Sequence, residues 1–363
     1  MGAADKKLQI ASRAFDFDDI DAFTEHAYAN GWTDGLPVLP PTEKKVTAML
    51  DYLKRDPQEV LGVVPPGEGV ATIEKIAINA AMAGCLPEYL PVVITAVEAM
   101  LDPVFELMRV QCTTGGPCPL VIVSGPVVKK LGFNFGEGAF VGTGNRVNSS
   151  IGRAVRLILW NIGLGRPGQM SHATMGHPGR YCYLVAERPP EEDNPWEPIH
   201  VTNGLKPEDS AVSMYPSGTH VQFNFGTGAN TIENNLYVAK EVLTNLGQFQ
   251  AAMQRLLVIN PQAASVFAAA GYDKTRFRDT LLEMSKRPVR DLKRTGGQSA
   301  TATWHWTKIA DVDNDDQMVP CMIDEHHLQI MVAGGWAPPI SQCVMVNSMH
   351  GEMTTKKIDW TWE

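Results

Sequence analysis

"QCTTGGPCPLVIVSGP" occupies Gln111–Pro126. Its core, "PLVIVSGP" (residues 119–126), is a short, apolar, β-branched run closed by Gly125-Pro126. A run this short, bounded by turn residues, is the pattern of a strand buried on both faces rather than of a helix. Such strands belong to α/β proteins, where helices cover both sides of a partly parallel sheet. The surrounding sequence follows the same grammar. Upstream, 71–85 ("ATIEKIAINAAMAGC") and 87–102 ("PEYLPVVITAVEAMLD") read as two helices joined by a turn. Downstream, 148–163 ("NSSIGRAVRLILWNIG") is a helix with an Asn/Ser start and an apolar face. Residues 180–187 ("RYCYLVAE") are a second strand.

The second half repeats this order. "SAVSMYP" (210–216), "RLLVIN" (255–260) and "LQIMVAGG" (328–335) read as strands. "ANTIENNLYVAKEVLTNLG" (229–247), "PQAASVFAAAG" (261–271) and "DKTRFRDTLLEMSKRP" (273–288) read as helices. The tetrapeptide Phe-Asn-Phe-Gly occurs at Phe133 and again at Phe223, which raises an internal pseudo-repeat. The expected fold is α/β, with a mixed, partly parallel sheet and flanking helices. Residues 1–65 form an N-terminal arm with two helices. One covers Asp18–Asn30 and stops at Asn30-Gly31; the other is capped by Thr42. "LGVVPPGEG" breaks the chain near residue 65. Residues 66–200 are a first α/β domain and 201–363 a second, with the Pro- and acid-rich stretch 191–206 as linker.

Composition narrows the function. The 363 residues are 44% hydrophobic and 20% charged, with Lys+Arg 31 against Asp+Glu 40 and a formal charge of -9. That balance argues against nucleic acid and against an anionic membrane surface, both of which call for a basic excess. The basic residues Lys286, Arg287, Arg290, Lys293 and Arg294 read as a solvated face. Apolar windows such as Leu90–Leu101 are too short to cross a bilayer. The N-terminus has no apolar signal core, and Lys6 spoils a myristoylation signal. Six scattered cysteines without a C-x-x-C pair suggest reduced thiols in a cytoplasmic protein. No P-loop or dinucleotide fingerprint precedes a helix, so no nucleotide cofactor is expected.

Several constellations carry chemistry. The loop Gly136–Gly144 runs into the helix start at Asn148–Ser149, where free N–H groups favour an anion. Arg146 and Arg153 add cationic forks for a carboxylate or phosphate, against the plain reading of a capped, glycine-rich connection. Cys112 and Cys118 flank the entry to the first buried strand. They suit a nucleophile, a soft metal ligand or a redox pair, or are simply small core residues. Thr113 and Thr114 between them would supply substrate-binding hydroxyls. In "MSHATMGHPGRYCYLVAE" (170–187), His177 sits on a Gly-His-Pro-Gly turn, where functional side chains gather. With His200 and Glu187 it would provide acid–base groups or hold a divalent metal. "DVDNDDQ" (311–317) lacks the Gly and Glu of a calcium loop and reads as an acidic surface turn.

Taken together, "GWTDGLPVLPPT" (31–42), "INAAMAGCLPEYLPVV" (78–93), "NSSIGRAVRLILWNIG", "GHPGRY" (176–181), "NPWEPIHV" (194–201) and "VAGG" (332–335) resemble an uncharacterised bacterial family. Its members are associated with small proteins or domains carrying a Sec/Cys-Gly-Ser-Cys motif. No Gly-Ser-Cys triplet occurs here, so no such nucleophile carries over. The resemblance implies that Asp34, Thr113, Thr114, Arg153, His177 and His200 lie in motif positions, and it implies no reaction. The expectation is an oligomeric enzyme that cleaves or hydrates a carbon–heteroatom bond of a small anionic molecule. Arg146, Arg153 and Asn145 would hold that molecule. The alternative is a non-catalytic subunit that scaffolds a small thiol or selenol protein.

Overall fold

The expected strand at 119–124 becomes β3 of a sheet that curls around its own apolar lining. A computed structural model describes residues 10–140, 142–226, 231–248, 253–294, 306–346, 351–360 and 362. The strands are β1 (Val60–Val64), β2 (Gly69–Thr72), β3 (Cys118–Ser124), β4 (Leu184–Ala186), β5 (Ala211–Asn224), β6 (Arg255–Ile259), β7 (Lys286–Pro288), β8 (Met318–Pro320), β9 (Leu328–Val332), β10 (Ile340–Val346) and β11 (Thr354–Lys357). The α-helices are α1 (Ile20–Ala29), α2 (Glu43–Leu53), α3 (Ile73–Met82), α4 (Leu90–Met100), α5 (Leu107–Cys112), α6 (Val127–Lys130), α7 (Arg146–Asn161), α8 (Ile199–Thr202), α9 (Thr231–Leu243), α10 (Pro261–Ala269), α11 (Lys274–Met284) and α12 (Val289–Arg294).

Seven strands form the main sheet, in the order β4-β3-β5-β10-β6-β9, with β11 also paired to β5. The sheet is mixed. β3 is parallel to β4 and β6 is parallel to β9, while β5 and β10 run antiparallel to their neighbours. Strands from both sides of residue 200 share it. The two halves have one topology: a strand, helices, a parallel partner, then an antiparallel strand toward the middle. Val123 pairs with Ala186 in one half and Ile259 with Val332 in the other. One residue on, Glu187 N donates to Val123 O and Ala333 N to Ile259 O. The two Phe-Asn-Phe-Gly copies do not occupy matching places. Phe133 follows α6, and Phe223 lies within β5.

All seven β3 residues are buried, and its alternation feeds two cores. Val121 and Val123 pack outward with α4, α7 and α3. Leu120 and Ile122 point inward, with Val185, Tyr215, Leu256, Val258, Met331 and Val344, to line the curl. The second half has its own outer core, built on β6, β9, β10, α10 and α11. Almost every residue of α4 is buried, as expected of a helix that is apolar all round. The curl is fastened where Arg188 N donates to Val332 O at 2.8 Å, joining the chain after β4 to β9.

Four local readings differ. "LGVVPPGEG" is not a break: β1 and β2 form a hairpin around it. The stretch 191–206 is not a free linker, because Trp196, Ile199 and His200 are all buried. β5 does not stop at Pro216 but continues to Asn224, and a register shift at Gly218 opposite Met345/Val346 is a β-bulge. β10 was not anticipated, since Ser341 and Gln342 interrupt its apolar run. The helix expected from residue 229 is described from Thr231; residues 229 and 230 lie outside the described residues. The acidic turn at Asp311–Gln317 is at the surface, and Asp315 and Asp316 pair there with Lys293 and Arg290.

Candidate active site

His177 faces Cys118 across the N-terminal end of β3. The Cys118 Sγ···His177 Nδ1 distance is 3.2 Å, and Gly179 N donates to the same Nδ1 at 3.0 Å. The second contact fixes Nδ1 as an acceptor. The remaining proton of the neutral ring is therefore on Nε2, and the thiol is the donor to Nδ1. Burial, with Arg180 beside it, holds His177 below the usual histidine range, so the neutral ring prevails at pH 7. Burial pushes the Cys118 thiol up to about 12, which keeps it a thiol.

A second imidazole completes the cluster, and the sequence reading missed it. His220 lies on β5 just past the Gly218 bulge. The bulge shifts the alternation by one residue, so His220 shares the inner face with Tyr215 and Ser217. Its ring centroid is 5.7 Å from that of His177 and 5.2 Å from that of Tyr183. His220 Nδ1 lies 3.1 Å from Gln342 Oε1, an acceptor, so Nδ1 carries the proton. Its Nε2 lone pair is buried and meets no hydrogen-bond partner. Burial pushes His220 down to about 4. Phe140, from the glycine-rich loop, packs edge-on against His220 at 4.8 Å. Tyr183 Oη bonds Ser217 Oγ at 2.9 Å and closes the floor.

His200 is not part of this cluster. It is fully buried on α8, and its Nδ1 lies 3.0 Å from Ser124 Oγ, at the other end of β3. Cys118 and Ser124 are the first and last residues of that strand. An extended strand of this length spans roughly 20 Å. His177 and His200 therefore cannot bind one metal ion or share one cleft. Among the described residues, no three His, Cys, Asp or Glu side chains are grouped to hold a metal ion.

Glu187 belongs with His200. It is buried at the end of β4, and its Oε2 accepts from Ile199 N at 2.8 Å while Oε1 has no partner. Burial pushes its carboxyl up to about 7. Lys274 lies nearby, also buried, and donates to Glu197 O at 2.9 Å and Thr202 Oγ1 at 3.0 Å. Ser124, Glu187, His200 and Lys274 are all buried at this end.

The arginines expected at the loop are engaged elsewhere. Arg146 donates through Nε and Nη2 to Gly84 O. Arg153 pairs with Asp34 at 2.9 Å and also donates to Pro37 O and Leu36 O. Both fasten upstream segments onto α7. Asp34 is thus a structural partner of Arg153, not a substrate group. Asn145 caps α7, its side chain accepting from Asn148 N at 3.1 Å. Thr113 turns back to Gly115 N, and Thr114 is exposed, its carbonyl accepting from Thr174 N. These two lie on the loop beside the His177 turn but make no side-chain contact with His177. Cys112 is half-buried, with Sγ 3.8 Å from Met108 Sδ, and is not bonded to Cys118.

A larger cavity of about 1210 Å³ opens between the segment from Ile10 and helices α1–α3. Phe15, Phe17, Phe23 and Trp32 line it, but no histidine or cysteine does. We therefore place the candidate chemistry at Cys118, His177 and His220. Comparison with protein families, curated proteins and solved structures found no match. No helix among the described residues is long and apolar enough to cross a membrane.

Proposed function

We propose that the chain is an enzyme acting on a small anionic organic molecule, with His177 and His220 as acid and base. One observation carries this reading: two neutral imidazoles, 5.7 Å apart, are locked by their partners in opposite roles. His177 offers Nε2–H, while His220 offers a lone pair at Nε2. Such a pair can take a proton from carbon and deliver one to a departing heteroatom, which is the demand of elimination; in the reverse, hydration, water gives up its proton and carbon receives one. The mouth of a curled sheet suits a small ligand. Phe140 covers the base and would move aside on entry. Gly138, Gly142 and Gly144, at φ 67°, 58° and 87°, give that loop its sharp turns.

The test is incubation in D₂O with a panel of small carboxylates bearing hydroxyl, amino or thioether groups, followed by NMR. Carbon-bound deuterium or elimination product is expected with the natural chain and not with a folded His220→Phe variant. Neither product on any member of the panel would refute the reading. The second reading, a non-catalytic subunit for a thiol or selenol protein, is favoured by an apolar rim. Met175 (94% exposed), Met170, Met108 and Tyr181 all stand exposed on the segments flanking Cys112 and His177. Flexible methionines suit such a docking surface.

A further inference from the structure

Three residues with a buried, unpartnered donor line a small void beside Cys118. Gln111 of α5, Arg156 of α7 and Arg180 of the turn after His177 line it, together with Cys118 and Tyr183. The void measures about 10 Å³, the room of one water-sized atom. Gln111 Nε2, Arg156 Nε and Arg180 Nε are each buried without a hydrogen-bond partner. Gln111 is only 2% exposed and Arg156 7%. Arg180 cannot swing out to water, because Nη1 is held by Ser171 Oγ at 2.7 Å and Nη2 by Pro117 O at 3.1 Å. Arg156 lies over the Trp160 ring at 5.1 Å. Among the described residues, neither guanidinium forms an ion pair with a carboxylate.

The buried Arg156 and the half-buried Arg180 repel one another, and each unpaired donor retains its desolvation cost. Burial and the neighbouring Arg180 push the Arg156 guanidinium down to about 10, against a smaller opposing pull from the Asp34 carboxylate, which is itself paired to Arg153. A water molecule answers this in part. It accepts two hydrogen bonds, one fewer than the three unpartnered nitrogens, and offsets neither positive charge. A negatively charged acceptor takes bonds from all three nitrogens and offsets both charges.

We propose that Gln111, Arg156 and Arg180 form a receptor for one anionic acceptor atom: a halide ion, or a single oxygen of a small carboxylate. The site adjoins the His177 cluster through Cys118, which faces both. The proposal does not depend on the acid–base reading, because it concerns binding without turnover.

The experiment is the thermal midpoint of the full chain in sodium chloride and in sodium formate. A bulky sulfonate salt holds the ionic strength constant. A saturable rise is expected with at least one of the two anions. Chloride alone would mark a halide site, and formate alone or both would mark a site open to a carboxylate oxygen. The apparent Kd should weaken about ten- to hundredfold in Arg156→Met, the loss expected for a charged hydrogen bond. No rise with either anion, or an equal rise in Arg156→Met, overturns the proposal. Should that variant not fold, crystals of the natural chain grown in sodium bromide decide the matter. An anomalous bromide peak, or formate density in crystals grown in sodium formate, between the two guanidinium groups supports the site, and a void that holds neither overturns it.

Discussion

Arg153→Ala should unfold the protein earlier rather than weaken a ligand. The Asp34 carboxylate that Arg153 answers is 1% exposed, whereas the Arg153 side chain is 18% exposed. Truncating the arginine leaves a buried anion without its cation, which costs about 3–5 kcal/mol for a well-buried pair. Two facts favour the lower end. Water can reach Asp34 through the space that Arg153 vacates, and Leu36 O keeps a bond from Thr33 Oγ1. Pro37 O loses a charged donor outright. Taking about 3 kcal/mol, and an unfolding entropy of about 2.1 cal/mol/K per residue over the 363-residue chain, the midpoint should fall by about 4 °C. The assay is thermal unfolding by circular dichroism, extended to a double-mutant cycle with Asp34→Asn. Removing both charges should recover part of the loss, because no uncompensated carboxylate is left. The chloride- or formate-dependent rise should survive in Arg153→Ala, since that arginine does not line the anion void. A midpoint within about 1 °C of the natural chain, or a cycle with no coupling, would refute the reasoning.

Two further outcomes separate the histidines. His200→Ala should lower the midpoint by a few degrees, about 2–4 kcal/mol for a fully buried ring lost with its Ser124 bond, yet leave deuterium exchange by the folded protein intact; lost exchange in a fully folded variant would move the chemistry to α8. His220 should titrate near pH 4 rather than 6.5, with Nδ1 protonated, when followed by long-range ¹H–¹⁵N correlation. Its folded pKa lies below that of the unfolded chain, so the unfolded chain takes up the proton first. This contribution is complete above about pH 6.5 and is lost as pH falls toward 4; a His220 ring that titrates near 6.5 in the folded protein would contradict its burial.

Strands whose neighbours cover both faces announce themselves locally, and the rest do not. β3, β6 and β9 stand out as largely Val/Ile/Leu runs, because both of their faces are buried, with Ser124, Arg255 and Gln329 as buried polar exceptions. β5 conceals its second half. Pro216 and Gly218 look like terminators, yet Pro216 faces Pro119 across the ladder, where neither residue has an N–H to offer. His220 is invisible for the same reason, since only the bulge at Gly218 turns it inward. The sequence places Arg146, Arg153 and Arg156 on one helix. At about 100° per residue, Arg146 and Arg153 fall on nearly one face and Arg156 is turned about 60° from it. Arg153 meets the upstream strap and Arg156 the void, a distinction that depends on how α7 is rotated against β4 and not on anything local.

The two ends of β3 show why polar residues gathered along one stretch of sequence need not act together. Cys118 and His177 are 59 residues apart and Ser124 and His200 are 76 apart, so each contact depends on where a distant loop returns. At the Ser124 end the returning loop brings α8 and seals itself in. Arg188 Nη2 reaches Gly334 O, Asn203 Nδ2 reaches Gln329 Oε1, and Lys274 reaches Glu197 O, so polar groups there tie the first half of the sheet to the second. A buried polar group held by such ties gains fixed geometry but loses contact with solvent and substrate. At the Cys118 end the returning loop is a turn. His172, Thr174 and Met175 on it are exposed, and His220 Nε2 and the two guanidinium Nε groups remain unanswered. Unanswered buried groups are costly in a protein that binds nothing. Glu187 Oε1, His200 Nε2 and Arg188 Nε are equally unanswered at the Ser124 end, where His200 and Glu187 are buried, so the exposed turn beside Cys118 is the physical argument for placing ligand and chemistry at this end of the strand.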